Sequence, residues 1–180
     1  MSVDARKRLA VLGLKLPEVS PPKGVYVPAV CSGKFVFVAG QIPMSDGELV
    51  QTGRVGAEVT PERARELSRQ CALAALAAVD SVAGLESVVR VVKVVGYVSS
   101  APGFTWQAGV VDGASELFVD LFGESGRHAR SAIGVSILPL NAPVEIEVLV
   151  EVSGPEVESE VFGPAVSGSE VSGPREDDAP

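Results

Sequence analysis

The chain has 180 residues, and its length, composition and charge narrow the classes of protein to which it can belong. A chain of this size forms one domain with a substantial core. Residues 153–180 carry a net charge of −6 out of −8 for the whole chain, so the other 152 residues carry only −2. A nearly neutral domain has no basic stripe to follow a phosphate backbone, which argues against nucleic-acid binding.

Targeting segments and disulfides are not indicated. No apolar run approaches the ~18 residues that a membrane-spanning helix requires. The N-terminus has scattered charges and no uninterrupted apolar segment of the kind that a secretory signal contains. We therefore expect a cytoplasmic protein that has no membrane partner. Cys31 and Cys71 fall in a predicted strand and a predicted helix, where buried thiols are more common than a disulfide.

The chain divides into three parts. Residues 1–22 predict a short helix over 3–13, with Leu9, Val11 and Leu12 on its apolar face, followed by a connector punctuated by prolines. Residues 23–152 form the α+β domain. Residues 153–180 are acidic and rich in Gly, Pro and Ser, so they cannot bury enough apolar area to offset the entropy of ordering. This composition predicts a disordered tail.

The domain begins with a predicted three-stranded meander. Residues 24–30 (GVYVPAV) are a β-type run that Pro28 restricts to the edge of a sheet. Residues 34–39 predict a buried strand, and residues 48–51 a third strand after a tight turn.

Two helices and three strands follow. Thr60-Pro61-Glu62 is a helix start, with a hydroxyl cap, a proline at the first position and an acid in the first turn. This helix ends at Gly84, and a second helix over 107–122 ends at Gly123. Three further strands are predicted at residues 90–98, 131–137 and 144–152. The order predicts an α+β sandwich with six strands and two helices on one face of the sheet.

The other face of this sheet is also partly apolar. In the last strand Val144, Ile146, Val148 and Val150 alternate with a second face that still presents Leu149, and residues 34–39 are apolar on both sides. A partly apolar second face needs a cover, and another copy of the chain is the simplest one. We expect an oligomer.

Four residues are candidates for a site, each with a plain structural alternative. Arg130 is either a surface arginine at a strand start or a bidentate clamp on a carboxylate. Glu145 is either part of a solvated sheet face, like Glu147, or a general base. Tyr26 is either a packed edge residue or a wall of a site. Gly40 is either a strand stop or a glycine that lets backbone N–H groups approach a ligand.

Other chemistries are disfavoured. His128, the single histidine, cannot supply a two-histidine ribonuclease mechanism, and we assign it a structural or loop position. No histidine, cysteine or carboxylate set has metal-ligand spacing. No phosphate-binding glycine motif follows a strand.

Several segments together resemble the reactive intermediate deaminase (Rid, YjgF-type) family. They are GVYVPAV (24–30), FVFVAGQIP (35–43), SSAPGF (99–104), HARSAIGV (128–135) and LPLNAPVEIEVLV (138–150). The separations from Tyr26 to Gly40 and from Arg130 to Glu145 match those between the family's pocket residues. The resemblance implies a chorismate mutase-like, mostly antiparallel fold and a homotrimer with sites between subunits.

The family's activity is hydrolysis of 2-imino acids and enamines to 2-keto acids and ammonia, as in 2-iminobutanoate/2-iminopropanoate deaminases. The resemblance implies that Arg130 holds the carboxylate of a small-molecule substrate with help from the backbone near Gly40. It implies that Glu145 activates the attacking water and that Tyr26 closes the pocket across a subunit boundary. It also implies that no metal or organic cofactor takes part, because a protonated imine is already electrophilic.

Three departures point to a divergent branch with an extra N-terminal helix. Ala39 replaces a small hydroxyl residue, and Ala132 replaces a cysteine. Asp112 corresponds to an asparagine at the second helix, and its extra carboxylate would disfavour an anionic substrate. Two alternatives therefore stay open. One is a non-catalytic trimeric binder of small carboxylate metabolites, and the other is a dedicated pathway enzyme for a larger imine or carbonyl intermediate.

Overall fold

Three helices and seven strands make up the fold of this computed structural model, which describes residues 4–22 and 24–154. The helices are α1 (Ala5–Val11), α2 (Pro61–Ala83) and α3 (Gln107–Phe122). The strands are β1 (Ala29–Ser32), β2 (Phe35–Gln41), β3 (Met44–Ser45), β4 (Glu48–Leu49), β5 (Val88–Ser99), β6 (Ala129–Val135) and β7 (Val144–Val152).

The main sheet has five strands in the order β1-β2-β7-β5-β6. Every pair is antiparallel except β5 with β6, which are parallel. The predicted α+β, mostly antiparallel architecture is confirmed, but the predicted count of six strands in one sheet is wrong. The third strand of the predicted meander pairs instead with Met44–Ser45, and the two form a separate two-stranded sheet.

The first predicted strand is displaced towards the C-terminus. It covers Ala29–Ser32 and not residues 24–30. Pro28 has no N–H to donate, so the ladder with β2 ends there, with the Ala39 amide donating to the Pro28 carbonyl at 2.9 Å. Val25 and Val27 on the preceding segment are exposed as a result.

The two long helices begin and end at the predicted signals. The Thr60 hydroxyl accepts a hydrogen bond from the Arg63 amide at 3.2 Å, as an N-cap should. Gly84 ends α2 at a φ of 79°, and Gly123 ends α3 at a φ of 60°, both in a region that favours glycine. The positions of α2 and α3 therefore follow from local sequence.

The core lies between these helices and one face of the sheet. Alternate residues of β7 are buried beneath the helices, as predicted: Val144, Ile146, Val148 and Val150. Small residues on α2 allow the helix to pack close to the strands, and they include Ala72, Ala75 and Ala78, all fully buried.

The N-terminal helix packs against the helix layer. Leu9 is buried as predicted, but Val11 and Leu12 are exposed, so that part of the predicted apolar face is wrong. Arg6 forms ion pairs with Asp80 at 2.6 Å and with Glu86. The predicted disordered tail lies outside the described residues, except for Ser153 and Gly154.

The second face of the sheet is open in the single chain, and its apolar residues are solvent-accessible. The side chains between 40 and 47 % exposed on this open face are Val30, Phe35, Phe37 and Ile133. This agrees with the apolar second face expected from the sequence. No helix in the described part of the chain has both the length and the apolar character that a membrane crossing requires.

Candidate functional site

The predicted site residues fall into two groups within one chain. Tyr26, Gly40 and Glu145 meet at one cavity. Arg130 and Asp112 meet elsewhere, at the outer edge of the sheet. We call these the cavity group and the arginine group.

The cavity group lines a space of about 200 Å³. Its walls combine the proline-rich connector, the end of β2 and the turn before β7. The lining residues are Ser20, Pro21, Pro22, Tyr26, Pro28, Gly40, Gln41, Ile42, Met44, Pro139, Leu140 and Glu145. Glu145 is the one carboxylate among these, and most of the others are apolar. A mostly apolar cavity with a few polar groups, one of them a carboxylate, is typical of a small-molecule site.

Gly40 lies directly against the Glu145 carboxylate. A Cβ atom built on Gly40 would fall 1.7 Å from Glu145 Oε1 and 2.7 Å from its Cδ. The absence of a side chain at position 40 therefore makes room for the carboxylate. The pairing of β2 with β7 is irregular between Val38 and Gln41, and Gly40 lies in that irregular stretch.

The environment of Glu145 favours its protonated form. Burial raises the pKa of this carboxyl above 4.5, and the nearby charge of Glu147 raises it further. Tyr97, which pairs with Glu145 across the sheet, also has a raised pKa, chiefly because of burial. A carboxyl with a raised pKa can act as a proton acceptor and then as a proton donor near neutral pH.

The arginine group joins the edge strand β6 to α3. Arg130 Nη1 donates to Asp112 Oδ1 at 2.7 Å and to Ser115 Oγ at 3.0 Å. Both described hydrogen bonds use the same nitrogen, and neither uses Nε or Nη2. A planar guanidinium edge is well suited to bind a carboxylate with two parallel hydrogen bonds.

Within one chain the two groups lie on opposite faces of the sheet. Arg130 pairs with Val94, which is buried beneath the helices. Glu145 pairs with Tyr97, three residues further along the same strand, so its side chain projects from the other face. Arg130 and Glu145 therefore do not share a pocket within one chain. Strand β5 separates them, which successive strands in the sequence did not reveal.

Ala39 and Asp112 do not belong to the cavity lining. Ala39 is partly buried on β2 beside Gly40, and its carbonyl accepts a hydrogen bond from Gln41 Nε2 at 3.0 Å. Its side chain is not part of the cavity wall. Asp112 contacts Arg130 and lies away from the cavity.

His128 has partners for both ring nitrogens. Nδ1 donates to the Gly126 carbonyl at 2.6 Å, which fixes the tautomer, so Nε2 accepts from the Ser115 hydroxyl at 3.0 Å. The ring makes a perpendicular contact with Phe118 at 5.8 Å between centroids. Burial lowers the pKa of His128, and the Arg130 charge adds to this effect. These contacts give His128 the structural partners that the sequence-based assignment expected.

Sequence reasoning missed Ser115 and the connector residues of the cavity. Ser115 follows Asp112 by three positions on α3, so both side chains lie on the same face of the helix. That spacing could have identified Ser115 as a neighbour of Asp112. The connector residues Ser20, Pro21 and Pro22 carried no signal beyond their prolines. In the described part of the chain, no three His, Cys, Asp or Glu residues gather as a metal site.

The sequence and the fold are similar to those of known proteins. The profile of the family described as "YjgF/chorismate mutase-like, putative endoribonuclease" matches residues 6–152. Protein TCP17 of Trypanosoma cruzi is 43% identical over 159 residues, spanning 85% of this chain and 99% of that protein. Among solved structures, Atu1372 of Agrobacterium tumefaciens, described as of unknown function, is 41% identical with a TM-score of 0.75, covering 82% of this chain and 91% of that one.

Two further solved structures are similar. A protein of Shewanella oneidensis MR-1, described as a "putative endoribonuclease", is 30% identical with a TM-score of 0.80, covering 82% of this chain and 99% of that one. RidA from the Antarctic bacterium Psychrobacter sp. PAMC 21119 is 25% identical with a TM-score of 0.54, covering 75% and 94%.

Proposed function

Because the chain belongs to the YjgF/chorismate mutase-like family, we propose that it hydrolyses reactive 2-imino acids and their enamine tautomers to 2-keto acids and ammonia. The observation that carries the proposal is Glu145, a carboxyl with a raised pKa in a mostly apolar cavity. The similarity to RidA of Psychrobacter adds support, because that protein bears the name of the reactive intermediate deaminases.

The complete site requires more than one copy of the chain. Arg130 cannot reach Glu145 within a chain, since the two project from opposite faces of the sheet. We propose a homotrimer in which the arginine group of one subunit adjoins the cavity group of the next. The apolar open face supports this assembly, because burying it against another copy removes it from water.

The residues would act as follows. Arg130 binds the substrate carboxylate through its Nε–Nη2 edge, and the backbone near Gly40 assists. Ionised Glu145 takes a proton from water as the oxygen attacks C2 of the protonated imine, giving a tetrahedral carbinolamine. Glu145 returns the proton to nitrogen and then, as a carboxylate, takes the hydroxyl proton while the C–N bond breaks, so that ammonia leaves and the 2-keto acid remains. The proton on Glu145 then passes to the released ammonia, which restores the carboxylate. Tyr26 closes the cavity, and positioning together with one base suffices for the reaction.

One observation favours a second candidate, a trimer that binds small carboxylate metabolites without turnover. Asp112 at 2.7 Å offsets the charge of Arg130, and this weakens the field that orients an anionic substrate. Ala39 and Ala132 also lack the polar groups found in relatives. A larger imine or carbonyl intermediate is the remaining substrate class for the cavity.

A ribonuclease mechanism has less support. His128 is the single histidine of the chain, and Gly126 and Ser115 occupy its two ring nitrogens. A nearly neutral domain also lacks the basic surface that RNA binding requires.

A coupled assay tests the proposal. An amino-acid oxidase generates 2-iminobutanoate in the presence of semicarbazide, which traps the imine as a semicarbazone. Wild-type protein should suppress the semicarbazone signal, because the imine is hydrolysed first. The rate of imine hydrolysis should fall about a hundredfold or more in Glu145→Gln, since general-base catalysis contributes 10²–10⁴-fold.

The matched control is Glu147→Gln, which removes a neighbouring carboxylate on the same strand and should retain activity. Equal loss in both variants would assign the effect to the charge of the strand and not to a base. No suppression by wild type with several 2-imino acids would exclude the deaminase and favour the binder.

A further inference from the structure

The Arg130 side chain is held by a chain of four groups. Asp112 and Ser115 on α3 both bind Nη1, the Ser115 hydroxyl donates to His128 Nε2, and His128 Nδ1 donates to the Gly126 carbonyl. We propose that Ser115 and His128 are positioning residues that fix the guanidinium of Arg130, with Asp112 as its charged anchor. The inference rests on the proposed role of Arg130 as the carboxylate clamp.

The direction of each hydrogen bond supports this role. The Gly126 carbonyl can only accept, so His128 Nδ1 carries the proton and Nε2 is an acceptor. Ser115 must then point its hydroxyl hydrogen at His128 and its lone pairs at Arg130. A neutral His128 thereby orients the Ser115 oxygen as an acceptor for the guanidinium.

The backbone geometry makes the arrangement rigid. Asp112 and Ser115 lie three residues apart on α3, so they face β6 together. His128 is packed edge-on against Phe118 of the same helix. Arg130 lies on a strand that has a neighbour on one side only, and it would otherwise be free to sample several rotamers.

The two hydrogen bonds to Nη1 determine which edge of the Arg130 guanidinium can bind a ligand. With Nη1 bound to two acceptors, the guanidinium cannot turn that nitrogen toward a ligand without losing both. The Nε–Nη2 edge remains for the substrate carboxylate. Asp112 is therefore the group that fixes the clamp and reduces its net charge.

Isothermal titration calorimetry with 2-oxobutanoate and its neutral amide, 2-oxobutanamide, tests the inference. The protein is the full chain in its assembled state. Wild type should prefer the carboxylate. Ser115→Ala and His128→Phe should weaken 2-oxobutanoate binding roughly tenfold and leave the amide within about twofold, because only the carboxylate needs an oriented arginine.

His128→Gln is the conservative rescue, since its side-chain oxygen can accept from Ser115 while His128→Phe cannot. Its preference for the carboxylate should return toward wild type. Arg130→Ala should remove the preference entirely. In the coupled assay, Ser115→Ala should raise KM for 2-iminobutanoate more than it lowers kcat.

Each result is decisive. Unchanged carboxylate preference in Ser115→Ala and His128→Phe overturns the inference, and so does equal weakening for both ligands, which indicates general damage. A His128→Gln variant no better than His128→Phe would assign the ring a packing role only. If wild type binds 2-oxobutanoate no better than 2-oxobutanamide, both the inference and the proposed carboxylate-binding role of Arg130 are overturned. If wild type prefers the carboxylate but does not hydrolyse the imine, and Ser115→Ala loses that preference, the inference stands and only the deaminase proposal is overturned.

Discussion

At the scale of single residues, one glycine sets the position of the candidate base. Glu145 occupies the space where a side chain on Gly40 would otherwise lie. The atoms that a new Cβ would meet belong to a flexible side chain and not to the backbone, so the fold can give way while the carboxylate moves. The requirement for glycine at this position therefore concerns the site more than stability.

Gly40→Ala should separate these two effects. The carboxylate must swing away from the cavity, and a displacement of about 1 Å at a reacting group can cost ~100-fold in rate. The free energy of unfolding should change by less than about 1 kcal/mol, as measured in urea. Gly24→Ala is the control, because its Cβ would lie 3.5 Å from the Tyr26 ring, an ordinary contact. Full activity in Gly40→Ala would contradict the assigned position of the base.

Glu145 should also destabilise the fold at neutral pH. Its folded pKa is raised above 4.5 by burial, so the folded state binds the proton more tightly than the unfolded state does. The cost is absent below pH 4.5 and grows as the pH rises through the folded pKa. Glu145→Gln should therefore have a higher Tm than wild type at pH 7 and nearly the same Tm at pH 3.5. A lower Tm at pH 7 would mean that the fold stabilises the ionised carboxylate.

At the scale of elements, the packing of α3 against α2 supports the arginine group. A Cβ on Gly113 would lie 2.0 Å from the Arg65 carbonyl oxygen of α2. Close by, the Ala114 amide donates to the buried Ser68 hydroxyl at 3.0 Å. The two helices are thus in near backbone contact beside Asp112. Any separation of the helices moves the anchor of Arg130.

Gly113→Ala should destabilise the protein by about 2–3 kcal/mol, because the clash is with backbone that cannot turn aside. The gain in helix propensity, about 1 kcal/mol, does not offset it. Chemical unfolding measures the change. Gly109→Ala on the same helix is the matched control, since the atoms nearest its Cβ belong to the half-exposed Trp106 side chain and not to backbone. Equal costs in the two variants would mean that the helices separate easily.

The sequence predicted elements where local chemistry decides. Gln107–Phe122 and Val144–Val152 have their predicted limits because a glycine and strict alternation mark them. The sequence-based prediction was wrong where the outcome depends on which strands pair. Glu48–Leu49 is a strand, as predicted, but it pairs with Met44–Ser45 and not with the main sheet. Tyr26, Gly40 and Glu145 line one cavity within a single chain, although the resemblance implied that Tyr26 comes from across a subunit boundary, and Arg130 does not join them within the chain. Order along the chain does not show that β5 lies between β6 and β7.

At the scale of the whole molecule, the proposed mechanism divides the site of a single chain into two incomplete halves. The cavity group holds the proposed base without a carboxylate clamp, and the arginine group holds the proposed clamp without a base. Glu145 projects from the open face, where Phe35 and Phe37 are in contact with solvent, whereas Arg130 lies on the edge strand β6. Relatives in this family are usually trimers, and in the assembly that we propose the open face of one subunit meets the edge that carries Arg130 in the next, which would bury the apolar residues and unite the halves.

Mixed assemblies distinguish a shared site from one within a subunit. Arg130→Ala and Glu145→Gln should each be inactive alone. When the two are co-expressed, some neighbouring subunits pair an intact Arg130 with an intact Glu145. With random assembly in equal amounts, about a quarter of the sites in a trimer are complete, so about a quarter of wild-type activity should return.

The coupled semicarbazide assay measures this recovery, and light scattering on the same sample measures the assembly mass. The control mixes the two purified variants without co-expression or exchange, and it should stay inactive because each assembly lacks one residue throughout. If Arg130 and Glu145 served a site within one chain, co-expression would restore nothing, since no chain carries both. Recovery near a quarter therefore requires that the clamp and the base come from different subunits.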